Sequence, residues 1–216
     1  LFRSHEQFQL NEETVWGGSP YNNTNPKAKD ALPRIRQLIF EGKNKEAQEL
    51  CGPTICSPSA NGMPYQTVGS LHLDFDGISN YNDYYRDLDI AKAIATTRFT
   101  TNGVTYTREA YTSFPDQVLV IRLTASQKKS ISFTAKYTTP YKSNVVRSIS
   151  SRKELQLSGK ANDHEGIEGK VEFTALTRIE NNGGSLEATS DSTLQVKNAN
   201  SVTLYVSIRS EEHTSE

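Results

Sequence analysis

The chain has 216 residues and a net charge of −1, with basic and acidic side chains mixed along its length. This length suits one β-rich domain with its own core, or two small ones. The balanced charge excludes the basic surface typical of nucleic-acid-binding proteins and of proteins held at an anionic membrane. No apolar run approaches the roughly 20 residues of a membrane span. We therefore expect neither nucleic acid nor a membrane as a partner.

Two cysteines, Cys51 and Cys56, are too few for a disulfide scaffold or a four-cysteine zinc site. A local disulfide between them and two free thiols both stay open. The four histidines have no metal-ligand spacing, and no phosphate-binding loop is present. The sequence therefore predicts no metal and no cofactor.

The stretch Gln9–Pro20 carries the only Trp of the sequence, Trp16, beside adjacent carboxylates and a Gly-Gly-Ser-Pro turn. We predict a short strand over His5–Leu10 that leads into this stretch as a loop, because two glycines and a proline after Trp16 cannot continue a helix. An aromatic ring on a Gly-rich turn fits a sugar-facing or interface loop. Alternatively Trp16 plugs the end of a core while the acids are solvated. The residues alone favour this second interpretation, because Trp is mostly buried in proteins.

Lys27–Cys51 is the predicted helical segment. Asn25 is a suitable N-cap, and Pro26 suits the first helical position. Apolar residues recur here at helical spacing: Ala31, Ile35, Leu38, Ile39, Ala47, Leu50 and Cys51. Pro33 should interrupt the helix and Gly42 should end it, so we expect two or three short helices.

Beyond residue 63 the pattern changes to the alternation of β-strands. Leu71, Leu73 and Phe75 share one face of a strand. Asn102-Gly103 between two alternating runs predicts a tight hairpin, and the apolar run Val118–Leu123 predicts a central strand. Further strands are predicted near residues 95–101, 104–112, 131–137, 155–157, 171–179, 194–196 and 202–208. The predicted fold class is mainly β, a large antiparallel β-sandwich with a short helical segment near the N-terminus.

Acid–base chemistry such as glycoside hydrolysis typically needs two carboxyl groups that converge on one bond. Four candidate groups exist: Glu12 with Glu13; Asp74 with Asp76; Asp83 with Asp87 and Asp89; and Glu165 with Glu168. Adjacent strand residues point to opposite faces, so the first pair should not converge. The others lie on the solvent side of a strand or in polar surface segments. We interpret all of them as structural or solvated, and predict no catalytic residue.

A series of motifs runs along nearly the whole chain in a fixed order. They are Gln9–Tyr21, Asn25-Pro26, Ala31–Gly42, Pro64–Leu71, Tyr85–Asp89, Gly103–Glu109 and Phe114–Val118. In this order they resemble the N-terminal domain of glycoside hydrolase family 95, which comprises α-L-fucosidases and some α-L-galactosidases. The resemblance extends from about Glu6 to Ile208.

This resemblance implies a parent hydrolase that removes terminal α-L-fucosyl groups from glycans with inversion at the anomeric carbon. In the family, the catalytic groups lie on a helical (α/α) barrel that follows a large β-sandwich, or super-sandwich, domain. The implied partners are therefore that barrel in cis and a fucosylated glycan. The implied location is periplasmic or secreted. This chain would be the non-catalytic scaffolding and sugar-shielding portion.

The resemblance also favours an interface or sugar-proximal role for the loop around Trp16. The residues assigned to it are Gln9, Asn11, Glu12, Trp16, Tyr65 and Gln66. A loop held by a rigid sheet is a usual place for recognition residues. We expect Trp16 to be partly exposed, and Asn11 and Glu12 to lack hydrogen-bond partners within this chain.

Two other hypotheses stay open. The chain could be a stand-alone glycan-binding module that uses the aromatic cluster Tyr81, Tyr84 and Tyr85, or a structural sandwich whose partner is another chain. We assign residues 1–208 to a single N-terminal domain. Residues 209–216, Arg-Ser-Glu-Glu-His-Thr-Ser-Glu, have no apolar position, and we expect them to be a non-native tail.

Overall fold

The structure is a computed structural model that describes residues 5–57, 62–75, 77–78, 80–142, 145–149 and 153–211. The chain forms two compact units. The first comprises Leu1–Val15, Gln66–Lys160 and Val171–Glu216, and the second comprises Trp16–Tyr65 and Ala161–Lys170. The assignment of residues 1–208 to a single domain stays a prediction.

The described residues form two helices and thirteen strands. The strands are β1 His5–Trp16, β2 Tyr65–Asp74, β3 Asn82–Asp89, β4 Ile94–Thr101, β5 Val104–Ser113, β6 Val118–Ala125, β7 Ile131–Thr138, β8 Val145–Ile149, β9 Glu154–Lys160, β10 Glu172–Asn182, β11 Ser185–Ser190, β12 Thr193–Ala199 and β13 Ser201–Ser210. The helices are α1 Ala28–Phe40 and α2 Asn44–Ile55. No helix among the described residues is long and apolar enough to cross a membrane.

Two antiparallel sheets make up the first unit, which confirms the predicted β-sandwich. Within the described ranges, one sheet has five strands in the order β1-β2-β7-β12-β11. The other has eight strands in the order β3-β4-β5-β6-β13-β10-β9-β8. Strand β6 lies between β5 and β13, so the central strand predicted at Val118–Leu123 is confirmed.

The core of the sandwich is built from alternating strand residues of both sheets. Strand β7 shows the pattern clearly: Ile131, Phe133, Ala135 and Tyr137 are buried, and the residues between them are partly exposed. Burying such side chains is the main favourable contribution to folding, about 1.5–3 kcal/mol for a large apolar residue. Apolar side chains at every second position can all face one core only if the chain is extended. The alternation in the sequence therefore predicts a strand here.

The predicted hairpin at Asn102-Gly103 joins β4 and β5. Both turn residues have positive φ, 49° and 75°, as the tightest hairpin turns require. The flanking residues Thr101 and Val104 are paired across the turn. The hairpin prediction is therefore confirmed.

The helical segment belongs to the second unit and forms two helices, as predicted. Gly42 ends α1 with a φ of 75°, and Lys43 donates its backbone N–H to the Leu38 carbonyl at 2.9 Å. Two details of the prediction are wrong. Helix α1 begins at Ala28, so Asn25 caps only the N–H of Lys27 at 3.0 Å. Pro33 does not break the helix, although it lies inside α1 and lacks the N–H of one backbone hydrogen bond. Cys51 and Cys56 are free thiols.

Several strands differ from the prediction. Strand β1 does not give way to a loop after Leu10 but continues to Trp16, although its sequence is polar. Strands β3, β8 and β11 form where the sequence analysis predicted no strand. Strand β13 continues beyond Ile208 to Ser210, which is buried. Residues 212–216 lie outside the described residues, so the non-native tail stays a prediction.

Candidate functional site

Trp16 and Tyr65 form an exposed aromatic pair in the second unit. Their ring centroids are 5.2 Å apart in an edge-to-face arrangement. Each side chain leaves 45% of its surface exposed. The prediction that Trp16 is partly exposed is confirmed, and Trp16 is not a core plug. Such a pair presents an apolar surface that suits a sugar face or a protein partner.

The glycines after Trp16 allow close backbone contacts within the same unit. Gly17 donates its N–H to the Pro64 carbonyl at 2.8 Å, and Gly18 donates to the Asn162 carbonyl at 2.7 Å. Gly18 has a φ of 70°, and a Cβ there would lie 2.3 Å from the Met63 sulfur. A larger residue would therefore clash as well as strain the backbone. The Gly-Gly pair holds the chain that follows Trp16 in one position.

The other predicted interface residues lie on β1 and β2 and differ in burial. Gln9 and Asn11 are exposed, whereas Glu12 and Gln66 are buried. The Glu12 carboxylate accepts hydrogen bonds from the backbone N–H of Thr14 at 2.9 Å and from its hydroxyl at 2.5 Å. The expectation that Glu12 lacks a partner was therefore wrong, because its side chain folds back along its own strand. The sugar-proximal role of these residues stays a prediction.

The candidate acid groups differ in exposure and in the contacts that hold them. Glu12 is buried and Glu13 is exposed, as expected for neighbours on a strand. Asp89 accepts the backbone N–H groups of Ala91 and Lys92 at 3.0 and 3.1 Å, which holds the turn after β3. Asp76 lies outside the described residues. Among the residues that the structure describes, no group of three His, Cys, Asp or Glu side chains is arranged to hold a metal ion.

A buried ion pair joins β1 to β5, and sequence reasoning missed it. Arg108 is 5% exposed and donates to the Glu6 carboxylate at 2.8 Å. Its guanidinium carbon lies 4.1 Å from the Phe75 ring centroid and 4.9 Å from that of Phe99. Burial lowers the pKa of Arg108, and the nearby Glu6 carboxylate opposes that shift. The alternation Val104, Tyr106, Arg108 already placed the arginine on the buried face, and this signal could have found it.

A second charged cluster lies on β1, β2 and β7 and is half-exposed. His5 Nδ1 is hydrogen-bonded to Asp74, and Lys136 Nζ lies 2.7 Å from the other oxygen of that carboxylate. His72 Nδ1 lies 2.8 Å from His5 Nε2, and His72 Nε2 lies 2.6 Å from the Thr138 hydroxyl. One set of histidine tautomers satisfies all these contacts. The Thr138 hydroxyl donates to His72 Nε2, His72 Nδ1–H donates to His5 Nε2, and His5 Nδ1–H donates to Asp74.

The pKa values in this cluster follow from its contacts. Partial burial lowers the pKa of His72, and the neighbouring His5 lowers it further, while the Asp74 charge opposes the shift. Partial burial would raise the pKa of Asp74, but hydrogen bonds from Lys136 and His5 lower it below its ordinary value. We interpret the cluster as a structural hydrogen-bonded chain, because Asp74 is already held by two partners.

An open cleft of about 430 Å³ lies in the first unit between β1, the β5–β6 turn and β13. Its apolar lining includes Leu119 and Ile208, and its polar lining includes Asn11, Gln117 and Arg209. Phe114, at the beginning of the β5–β6 turn, lines the same cleft and is 87% exposed. The sequence analysis placed Asn11 and Glu12 in a recognition region but did not connect them with this turn.

The tyrosine cluster lies on and beside β3, at one edge of the eight-stranded sheet. Tyr84 and Tyr85 are exposed, and Tyr81 lies edge-to-face against Tyr84 at 5.9 Å. The Arg98 guanidinium lies 5.7 Å from the Tyr85 ring. The exposed aromatic side chains that a glycan-binding module would need are therefore present. Tyr84 and Tyr85, however, are adjacent on β3 and so point to opposite faces of the strand.

These features define the first unit as an antiparallel β-sandwich domain of two sheets, with exposed aromatic groups. More particularly, the chain belongs to the family described as glycosyl hydrolase family 65, N-terminal domain, whose model matches residues 3–215.

Proteins that are named as fucosidases are similar in sequence to this chain. The chain is 30% identical to alpha-L-fucosidase 2 of Arabidopsis thaliana, over 91% of this chain and 25% of that protein. It is 31% identical to a probable alpha-fucosidase A of Aspergillus niger, over 56% of this chain and 16% of that protein. The chain thus spans a quarter or less of the length of these relatives. The chain is thus the N-terminal domain type of a glycosyl hydrolase and is similar to proteins named as α-fucosidases, while the assignment to family 95 stays a prediction.

Proposed function

We propose that this chain is the N-terminal, non-catalytic domain of a family 95 α-L-fucosidase. The parent protein hydrolyses terminal α-L-fucosyl linkages of glycans with inversion, and its catalytic groups lie on a helical barrel in the same polypeptide. The observation that carries the proposal is the match to alpha-L-fucosidase 2, which covers 91% of this chain but only 25% of that relative. The greater part of such a protein lies outside the matched region.

The arrangement of the acids supports a non-catalytic role. A glycosidase needs an acid and a base or nucleophile roughly 5–10 Å apart on the two sides of one bond. Here Glu12 accepts hydrogen bonds from Thr14, and Asp74 is paired with Lys136 and His5. Asp89 accepts backbone hydrogen bonds that hold the turn after β3. Carboxylates that are tied into structural contacts are poorly placed to exchange protons with a substrate.

The aromatic pair Trp16 and Tyr65 suits a position next to the bound glycan or at the surface that meets the barrel. The glycines after Trp16 fix the backbone there, so the rings are presented without a large cost in conformational entropy. Partial exposure of both rings in this chain supports a contact that a further part of the parent supplies.

A second candidate function is glycan binding by the isolated domain. The exposure of Tyr84 and Tyr85 at the edge of the eight-stranded sheet favours it, because aromatic faces stack on sugar rings. This function needs no further domain.

Both candidates are tested with the 216-residue chain and with a version that carries the natural downstream sequence of the parent. We expect only the longer protein to hydrolyse aryl α-L-fucosides, with β-L-fucose as the first product seen by NMR. Turnover by the short chain that is lost in Glu12→Gln or Asp74→Asn would contradict the proposal. Saturable binding of fucosylated oligosaccharides by the short chain, lost in Tyr85→Ala and kept in Tyr111→Ala, would favour the second candidate.

A further inference from the structure

The β5–β6 turn holds an aromatic side chain out of the sandwich in a fixed position. The Ser113 hydroxyl donates to the Asp116 carboxylate at 2.5 Å, and the Gln117 side-chain amide donates to the Phe114 carbonyl at 2.6 Å. Gln117 also has a positive φ of 53°, which closes the turn. The hydrogen bonds of the turn therefore hold the backbone of Phe114 in a position that exposes its side chain.

The cleft beside Phe114 has the composition of a protein–protein contact. Its lining combines apolar residues of β6 and β13, among them Leu119 and Ile208, with polar and charged residues such as Asn11, Glu13 and Arg209. An apolar centre with polar and charged groups around it is typical of interfaces. Phenylalanine and arginine are also enriched in interfaces compared with the rest of the surface.

The path of the chain indicates what occupies the cleft. Strand β13 ends at Ser210, and two of its last residues, Ile208 and Arg209, line the cleft. The polypeptide therefore leaves the sandwich beside this cleft. In alpha-L-fucosidase 2 the matched region is 25% of the protein, so a much longer segment lies outside the match. A downstream segment tethered here has a high effective concentration at the cleft, which favours even a modest contact.

We propose that this cleft, with Phe114 as its anchor, is the docking site for the downstream part of the parent polypeptide. The inference rests on the proposed function for the existence of that part, and it names a surface different from the Trp16–Tyr65 pair. Phe114 inserts into an apolar recess of the downstream part, and Asn11 and Gln117 form polar contacts around it. The contact fixes the orientation of the first unit relative to the catalytic part.

The test compares hydrogen exchange in the 216-residue chain and in the intact parent. We expect the backbone amides of residues 113–119, apart from Pro115, to exchange at least about tenfold more slowly in the parent, which corresponds to about 1.4 kcal/mol of added protection. Phe114→Ala in the parent should remove this difference. Equal exchange rates in the chain and the parent would overturn the proposal.

Phe40→Ala is the matched control, because Phe40 is 89% exposed but does not line the cleft. It should leave the protection of residues 113–119 unchanged. Thermal melts of both variants in the 216-residue chain check that neither substitution unfolds the domain. Loss of protection in both variants alike would also contradict a specific anchor at Phe114.

The two proposals fail in different ways. An intact parent that hydrolyses α-L-fucosides but exchanges residues 113–119 as fast as the short chain refutes the docking site alone. An intact parent that protects this turn but has no activity on α-L-fucosides refutes the proposed function and supports the docking site.

Discussion

Strand β1 joins two charged clusters whose surroundings differ. Glu6 is buried with Arg108 between the rings of Phe75 and Phe99. His5, the preceding residue, is half-exposed and belongs to the chain of contacts that ends at Asp74. The two residues are adjacent in sequence and point to opposite faces of the strand.

The comparison shows that burial, more than the number of contacts, decides what a charged residue contributes. A buried pair has lost the hydration of both charges, so it is tolerated only while both partners are present. A half-exposed cluster keeps water around its charges, and each pair in it contributes roughly 0–1 kcal/mol. The cluster around Asp74 has several polar contacts, yet the buried pair should matter more for stability.

The largest expected effect is the loss of Arg108. Arg108→Met keeps an apolar stem between the two rings but leaves the Glu6 carboxylate buried without its closest cation. We expect it to lower the free energy of unfolding by about 3–5 kcal/mol, measured by urea denaturation of the 216-residue chain. Adding Glu6→Gln to the same variant removes the unpaired charge and should restore most of the loss. A loss below about 1 kcal/mol would show that water reaches Glu6.

A smaller effect is expected at the other end of β1. Trp16→Ala removes a half-exposed ring and its contact with Tyr65, and an edge-to-face aromatic pair contributes about 0.5–1.5 kcal/mol. Thermal melts of the 216-residue chain should therefore shift by only a few degrees, while activity of the intact parent should fall. A loss near the roughly 3–5 kcal/mol of a buried Trp would mean that Trp16 supports the core.

The smallest effect should be the pH dependence that the Asp74 cluster creates. The pKa of His72 is lowered in the folded chain, so the unfolded chain binds a proton first as the pH falls below about 6.5. Stability is therefore full above that pH and decreases below it. The lowered pKa of Asp74 adds a contribution that is present above about pH 4 and lost at lower pH.

Urea denaturation at several pH values between 7.5 and 5 measures this effect. We expect His72→Gln to flatten the dependence in this range, with a total change below about 1 kcal/mol. His164→Gln, in the second unit, is the control for removing a histidine outside the cluster. A steeper dependence in the His72 variant than in the unmodified chain would contradict the assignment.

The sequence predicted those parts of the fold that follow from local pattern. The buried residues of β7 alternate with period 2, and Asn102-Gly103 specifies its own turn, so both were predictable without any distant contact. Gly42 likewise ended α1, because a left-handed backbone favours glycine.

The parts that the sequence did not predict depend on partners far along the chain. Glu6 and Arg108 are separated by 102 positions. The alternation on β5 indicates that Arg108 faces inward, but no local pattern identifies Glu6 as its partner. The extension of β1 to Trp16 was missed because its residues are polar, although neighbouring strands satisfy their backbone groups. The cleft at Phe114 combines three separate elements, so only the folded chain brings it together.

The position of β13 has a consequence for synthesis on the ribosome. Among the thirteen described strands, β13 is translated after the other twelve, yet it lies inside the eight-stranded sheet between β6 and β10. Until Ser201–Ser210 has left the exit tunnel, the edges of β6 and β10 that it pairs with have no native partner. Unpaired edges are where nascent chains join one another or recruit chaperones. The order of translation thus leaves the sheet open at its middle until the final strand closes it.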